Sequence, residues 1–157
     1  MVMVMVAVLA GIAIPRMGGS TGRYRLDRAA WRVAADMAYA QTLARRSSQV
    51  QPVRFDVVAE SYVLPGVPGL DGHAGDYTVG LSGGGDDADL ASVRFENSNG
   101  DVSTSGFAFD MWGTPQGGDP GSGVPWAPLV SGSIQIQKGK EGRTIAIDPV
   151  TGRADVQ

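Results

Sequence analysis

Residues 1–14 are apolar without interruption, MVMVMVAVLAGIAI, and Pro15 and Arg16 close the run. As a helix such a run rises about 21 Å, at about 1.5 Å per residue. That falls short of a hydrocarbon core about 30 Å thick. Taken alone it could be a buried helix, the apolar part of a signal peptide, or the back half of a membrane-crossing helix. No positive charge precedes it, as a signal peptide would require, and Gly11-Ile12-Ala13 is a small-x-small match that arises easily by chance. The sequence beyond it also continues helically. The back half of a transmembrane helix is therefore the preferred reading, with about seven more apolar residues expected upstream of Met1 to complete the span.

Between residues 23 and 47 the pattern becomes amphipathic. Leu26, Ala30, Val33, Met37, Ala40 and Ala44 recur at steps of four, three, four, three and four. That is one apolar stripe at helical period. Arg25, Arg28, Arg32, Asp36, Arg45 and Arg46 lie mostly off it. The small residues of the stripe would let a sheet approach closely, and Arg45 and Arg46 complement the helix dipole near its end. Pro52 sets the latest plausible stop. Gly18-Gly19-Ser20-Thr21-Gly22, following Pro15, reads as a flexible or kinked join.

After Pro52 the period changes to two. Val53, Phe55 and Val57 alternate with Arg54 and Asp56, and Tyr62 and Leu64 continue after a turn near Glu60-Ser61, which makes a hairpin. Tyr77-Thr78-Val79 and Val93-Arg94-Phe95 are short strand candidates. Phe107 with Phe109, Ile134 with Ile136, and Ile145 with Ile147 show the same alternation, and Val156 could end a last strand. Asn99-Gly100, Lys138-Gly139 and Thr151-Gly152 supply turn chemistry between them. Glycine (23 residues) and proline (9) cluster between apolar runs, so they read as loops joining strands. The class expected is α+β: a long N-terminal helix packed on antiparallel sheet. The divisions are a truncated transmembrane part over 1–22, an amphipathic helix over 23–48 and a β-rich head over 49–157.

The chemistry of an enzyme is missing from this composition. With no cysteine and a single histidine, thiolate and histidine zinc sites lack their ligands, and the redox compartment cannot be read. A Ser-His-Asp triad would need His73, which sits in a loop, Asp71-Gly72-His73-Ala74-Gly75-Asp76. Gly83-Gly84-Gly85 lacks the Lys-Ser/Thr of a phosphate-binding loop. Two acidic stretches, Asp71 with Asp76 and Asp86, Asp87 with Asp89, could be asked to hold calcium. Neither has the spacing of a helix-loop-helix calcium site, and solvated charge on Gly-rich loops is the simpler reading. No catalytic residue, cofactor or metal is expected. Charge is divided unevenly: residues 1–54 hold eight arginines and two aspartates, whereas 55–157 hold five Lys or Arg and fourteen Asp or Glu. A basic front and acidic back argue against nucleic acid as a partner of the C-terminal domain.

Several segments, in order, resemble the pseudopilins and type IV pilins of the GspH/FimT family. Ala7-Val8-Leu9-Ala10-Gly11-Ile12-Ala13-Ile14-Pro15 is similar to the end of the pilin membrane segment with its kinking proline. LDRAAWRVAADMAYAQTLARR (26–46) resembles the family's Leu/Ala-rich helix, and Val53-Arg54-Phe55-Asp56 its first strand. Phe109-Asp110-Met111-Trp112-Gly113-Thr114-Pro115 resembles its F-x-x-x-G-x-P stretch, and Ile145 to Arg153 its closing strand and Thr-Gly-Arg turn. The region 64–99 carries no family signal and reads as an insertion. The processing motif Gly-Phe-Thr-Leu-Ile-Glu is absent and would fall just upstream of Met1. The resemblance implies a pilin-like fold and a non-catalytic minor pseudopilin H or minor pilin. Such a subunit acts in fibre assembly and protein secretion, held single-pass in the bacterial inner membrane with its head in the periplasm. Met1, Val4, Val8, Ala10, Gly11, Ala13, Ile14 and Pro15 would form the membrane and assembly helix, with other pilins and secreted cargo as partners. Arg16, Arg23 and Arg25 then lie on the outer side, opposite to the positive-inside bias, and would meet lipid head groups or acidic neighbours. The family also implies an alternative, a DNA-binding minor pilin of a DNA-uptake pilus, with Lys138, Lys140, Arg143 and Arg153 as the contacts; that basic cluster is thin. A free-standing periplasmic β-rich protein with a signal anchor is a third reading.

Overall fold

This computed structural model describes residues 18–69, 75–83 and 88–157, and among them the regular structure is one long helix, ten strands and a 3-10 turn. The helix, α1, is Gly18–Ser47. All six positions of the apolar stripe are fully buried, and Ala29 joins them. The end of α1 is closed as a Schellman cap: Ser48 takes a positive φ of 53° and the Gln49 amide donates to the Ala44 carbonyl at 3.3 Å. The glycine run at 18–22, expected to be a join, is instead the first turns of α1. A cost of about 1 kcal/mol per helical glycine is small once a long helix has nucleated elsewhere and adds one bond per residue.

The strands are β1 Gln51–Asp56, β2 Ser61–Leu64, β3 Tyr77–Gly80, β4 Asp89–Asn97, β5 Val102–Ser103, β6 Gly106–Phe109, β7 Pro115–Asp119, β8 Val124–Lys138, β9 Glu141–Ile147 and β10 Ala154–Val156. Every pairing is antiparallel, and the path runs β10-β9-β8-β7-β6-β1-β2-β3, with β4 and β5 branching from β8. β1 and β2 form the expected hairpin, with Phe55 opposite Tyr62. Val57, expected in β1, lies in the turn. The strand stops at Asp56 because its carboxylate accepts the amides of Val58 and Ala59, both at 2.9 Å, and bends the chain. The 15-residue β8 pairs with β7 through its first half and with both β4 and β9 through its second. It therefore joins the two arms of a curled sheet.

Between those arms and beneath α1 lies the core. Phe95 of β4 stacks on Phe107 of β6 at 4.7 Å and meets Phe55 of β1 at 5.7 Å. The region 64–99 is thus no appended insertion: it supplies β3 and β4, with Phe95 fully buried. The arrangement is the helix-on-antiparallel-sheet α+β fold expected from the sequence. Among the described residues no helix is long and apolar enough to cross a membrane. The membrane and assembly positions Met1, Val4, Val8, Ala10, Gly11, Ala13, Ile14 and Pro15 fall outside the described residues, as do Asp71, His73, Asp86 and Asp87.

Candidate functional site

α1 is fastened to the sheet at three levels, and the fastenings determine which of its faces remains open. Toward its start, Arg23 Nε lies 2.9 Å from Glu141 Oε1 and Arg143 Nε lies 2.7 Å from Asp27 Oδ1, so both ion pairs cross to β9. At mid-helix, the Asp36 carboxylate accepts hydrogen bonds from the Tyr62 hydroxyl of β2 and from the Tyr77 hydroxyl of β3, the latter at 3.2 Å. Burial holds the Asp36 carboxyl above its ordinary value, opposed by those two hydrogen bonds and by nearby Arg32. Burial, then the Asp36 charge, pushes both tyrosine hydroxyls up as well.

Toward its end, two side chains hold two turns. The Gln41 amide donates to the Gly113 carbonyl at 2.8 Å and to the Thr151 carbonyl at 2.6 Å. Arg45 Nε donates to the Trp112 carbonyl at 2.9 Å. Each turn is shaped by an aspartate. Asp110 accepts the amides of Trp112 and Thr114, and Asp148 accepts the amides of Val150 and Thr151. The hydrogen bonds from Thr151 hold the Asp148 carboxyl below its ordinary value. Both turns require glycine. At Gly113 (φ 80°) a Cβ would lie 2.2 Å from Arg45 Nε, and at Gly152 (φ 71°) it would lie 2.6 Å from Gln41 Nε2.

What stays open is the opposite side of α1. Tyr24, Arg28, Trp31, Ala35, Ala38 and Thr42 repeat the steps four, three, four, three, four, two residues ahead of the buried stripe. Two residues are about 200° of helix, so this second stripe faces away from the sheet. Tyr24 is 75% and Trp31 62% exposed. Beside it, Trp31, Ala35 and Ala38 together with Gly152, Arg153 and Ala154 line a groove of about 400 Å3. This stripe has the same period in the sequence as the buried one, so the period alone does not tell which of the two faces the sheet.

Of the four positions considered for DNA, Lys138, Lys140 and Arg143 gather at the β8–β9 end, with Arg143 engaged by Asp27. Arg153 lies at the far end of β9, about 20 Å away at about 3.4 Å per residue, and its Nε is 3.2 Å from Asp155 Oδ1. Asp76 is used locally, its carboxylate accepting the Gly66 amide at 2.8 Å. Among the described residues no three metal-ligating side chains converge. The arrangement offers surfaces and fixed turns, with Ser105, Ser122 and Asp119 joined only in a turn network around the 3-10 turn Pro120–Ser122.

No family model matches the sequence, and no curated protein matches it. Among solved structures, the chain is similar to the type IV minor pilin FimU of Pseudomonas aeruginosa, at a TM-score of 0.48 and 18% identity over 87% of this chain and 90% of that one.

Proposed function

We propose that this chain is a non-catalytic subunit of a bacterial pilus-like fibre, a minor pseudopilin of a type II secretion system or a minor pilin of a type IV pilus. The supporting observation is the meeting of two segments on one stretch of α1. The stretches that resemble the family's F-x-x-x-G-x-P and Thr-Gly-Arg motifs are far apart in sequence. Gln41 nevertheless binds a carbonyl of each, and Arg45 binds the first. The family-like residues thereby act together to mount the head on the C-terminal half of a long helix whose N-terminal side follows an apolar run. In this reading residues 1–14, with apolar residues encoded upstream, hold the subunit in the inner membrane until it enters the fibre. There the helices pack through small residues such as Ala10, Gly11 and Ala13. The head projects into the periplasm toward neighbouring pilins and cargo.

The test is made in the source bacterium. An epitope-tagged copy expressed from its own locus is expected in the inner-membrane fraction, to shorten in mass when the prepilin peptidase is present, and to appear in sheared fibres. A tagged protein that stays in the soluble periplasmic fraction and is unchanged by the peptidase would overturn the reading. Loss of DNA uptake with secretion intact would move it to the competence pilus.

A further inference from the structure

We propose that the head takes up a basic, extended segment of a partner polypeptide as an added strand, in a slot between β4 and the end of β1. The slot is a property of the head alone and is independent of the fibre reading. It exists because β5 is short. Val102 and Ser103 pair with Glu96 and Phe95, and the chain then crosses to the other arm, where the Ser105 carbonyl accepts the Phe55 amide at 2.7 Å. From Arg94 back to Asp89, β4 keeps β8 on one side and, among the described residues, no strand on the other. The opening there, about 420 Å3, lies between Phe55, Asp56 and Val57 on one arm and Ser92 and Val93 on the other, with Thr104 also lining it.

The backbone of Val93 is what an added strand meets. Alternate residues of an antiparallel strand turn their amide and carbonyl to the same side. The Ser98 amide donates to the Pro128 carbonyl of β8 at 2.8 Å, whereas the Asn97 amide donates to the Asp101 carbonyl at 3.0 Å, on the β5 side. Two residues back, Phe95 meets Ser103 of β5. Two further back, Val93 faces the slot. Val93 is 3% exposed, and among the described residues nothing pairs with its amide or carbonyl on that side. Buried backbone groups are nearly always paired. An extended chain presents donors and acceptors at the matching alternation, and its side chains can rest on Phe55 and Val57.

Charge selects the segment. Asp56 lines the slot and, among the described residues, is in no ion pair. The cations of the two bordering strands are already matched: Arg94 Nη2 lies 3.4 Å from Glu96 Oε2, and Arg54 Nε lies 3.8 Å from Asp119 Oδ1. Residues 48–157 hold six Lys or Arg against fourteen Asp or Glu. A segment with Lys or Arg beside its apolar side chains therefore complements the slot.

The probe is the acetylated and amidated peptide Lys-Thr-Val-Thr-Val-Thr-Lys, added to isotope-labelled full-length protein in detergent micelles. Solvent exchange of the Val93 amide is expected to slow about tenfold with peptide at about ten times its Kd. The amides of β10, at the far end of the strand order, should not change. Only one edge of an added strand faces β4. Methylating alternate amide nitrogens of the peptide should therefore abolish binding in one phase and preserve it in the other. Glutamates in place of the two lysines should weaken binding about tenfold. Asp56→Asn keeps an oxygen for the Val58 and Ala59 amides and should shrink that preference. Thr104→Trp, at an exposed position, should fill the slot and remove binding. The methylated pair is read on the wild-type chain, so the test does not depend on either variant folding. No effect at Val93 with millimolar peptide, equal binding of the two methylated peptides, or equal binding with glutamate ends overturns the proposal.

Discussion

Asp36 is the residue at which burial and hydrogen bonding oppose each other most directly. Its carboxyl is raised above 3.8 because burial outweighs the two tyrosine donors and Arg32. The folded chain then holds a proton on Asp36 to higher pH than the unfolded chain does. Its contribution is complete below 3.8 and is lost as pH rises through the folded value. Asp148 has the opposite sign. Its lowered carboxyl adds stability above 3.8 that disappears as pH falls. Asp36→Asn is therefore expected to flatten the decline in stability as pH rises above 3.8, read by urea unfolding at several pH values. A decline as steep as the wild type's would show that another group titrates there. Tyr62→Phe keeps the ring against Phe55, at 5.8 Å, and removes only the hydroxyl. It should cost about 1–3 kcal/mol, because the Asp36 carboxyl loses one of its two tyrosine donors.

At the scale of elements, α1 and its two turns should behave as one coupled unit. Gln41→Ala leaves the Gly113 and Thr151 carbonyls without their donor and is expected to cost about 1–3 kcal/mol in chemical denaturation. Gly152→Ala forces a Cβ to 2.6 Å from Gln41 Nε2 and 2.9 Å from Phe109 Cε1 at a positive φ. It should cost a similar amount, and the two changes should be less than additive because they disturb one contact. Full additivity would separate the turn from the helix. How far these elements can be read from sequence follows from where their causes lie. The α1 stripe and the β1–β2 hairpin announce themselves because their periodicity is local. β7, PQGGD, has no alternation and no strand-favouring residue. It is a strand because Gly117 admits Asn97 and Leu129, which would stand 3.1 and 3.2 Å from a Cβ, and that requirement is tertiary. Pro125 and Pro128 likewise disguise the first half of β8 as loop. The Asp36 and Gln41 contacts are illegible for the same reason: each joins residues whose adjacency only the sheet register creates. Of the candidate surface, the period of the outer stripe was present in the sequence, whereas the groove beside it was not, since Gly152 and Ala154 reach α1 only through the fold.

Across the whole molecule, the issue is whether the two arms of the sheet unfold together. A single strand, β8, runs through both, so neither arm can lose its pairing without exposing the other. The buried Asn97 side chain reinforces the junction: its carbonyl oxygen accepts the amides of Asn99 and Asp101 at 3.0 Å, and its amide donates to the Gly117 and Pro125 carbonyls at 3.4 Å. Phe95 completes it, since its ring from β4 packs against β1 and β6 of the other arm. Phe95→Ala should therefore cost about 3–5 kcal/mol, the range for emptying a buried aromatic site. The informative part is how that loss is distributed. If the arms form one cooperative unit, urea unfolding remains a single transition with an unchanged slope, and amide protection in β2 and in β9 falls by the same factor. If the arms are separate, β2 and β9 lose protection unequally and a second transition appears.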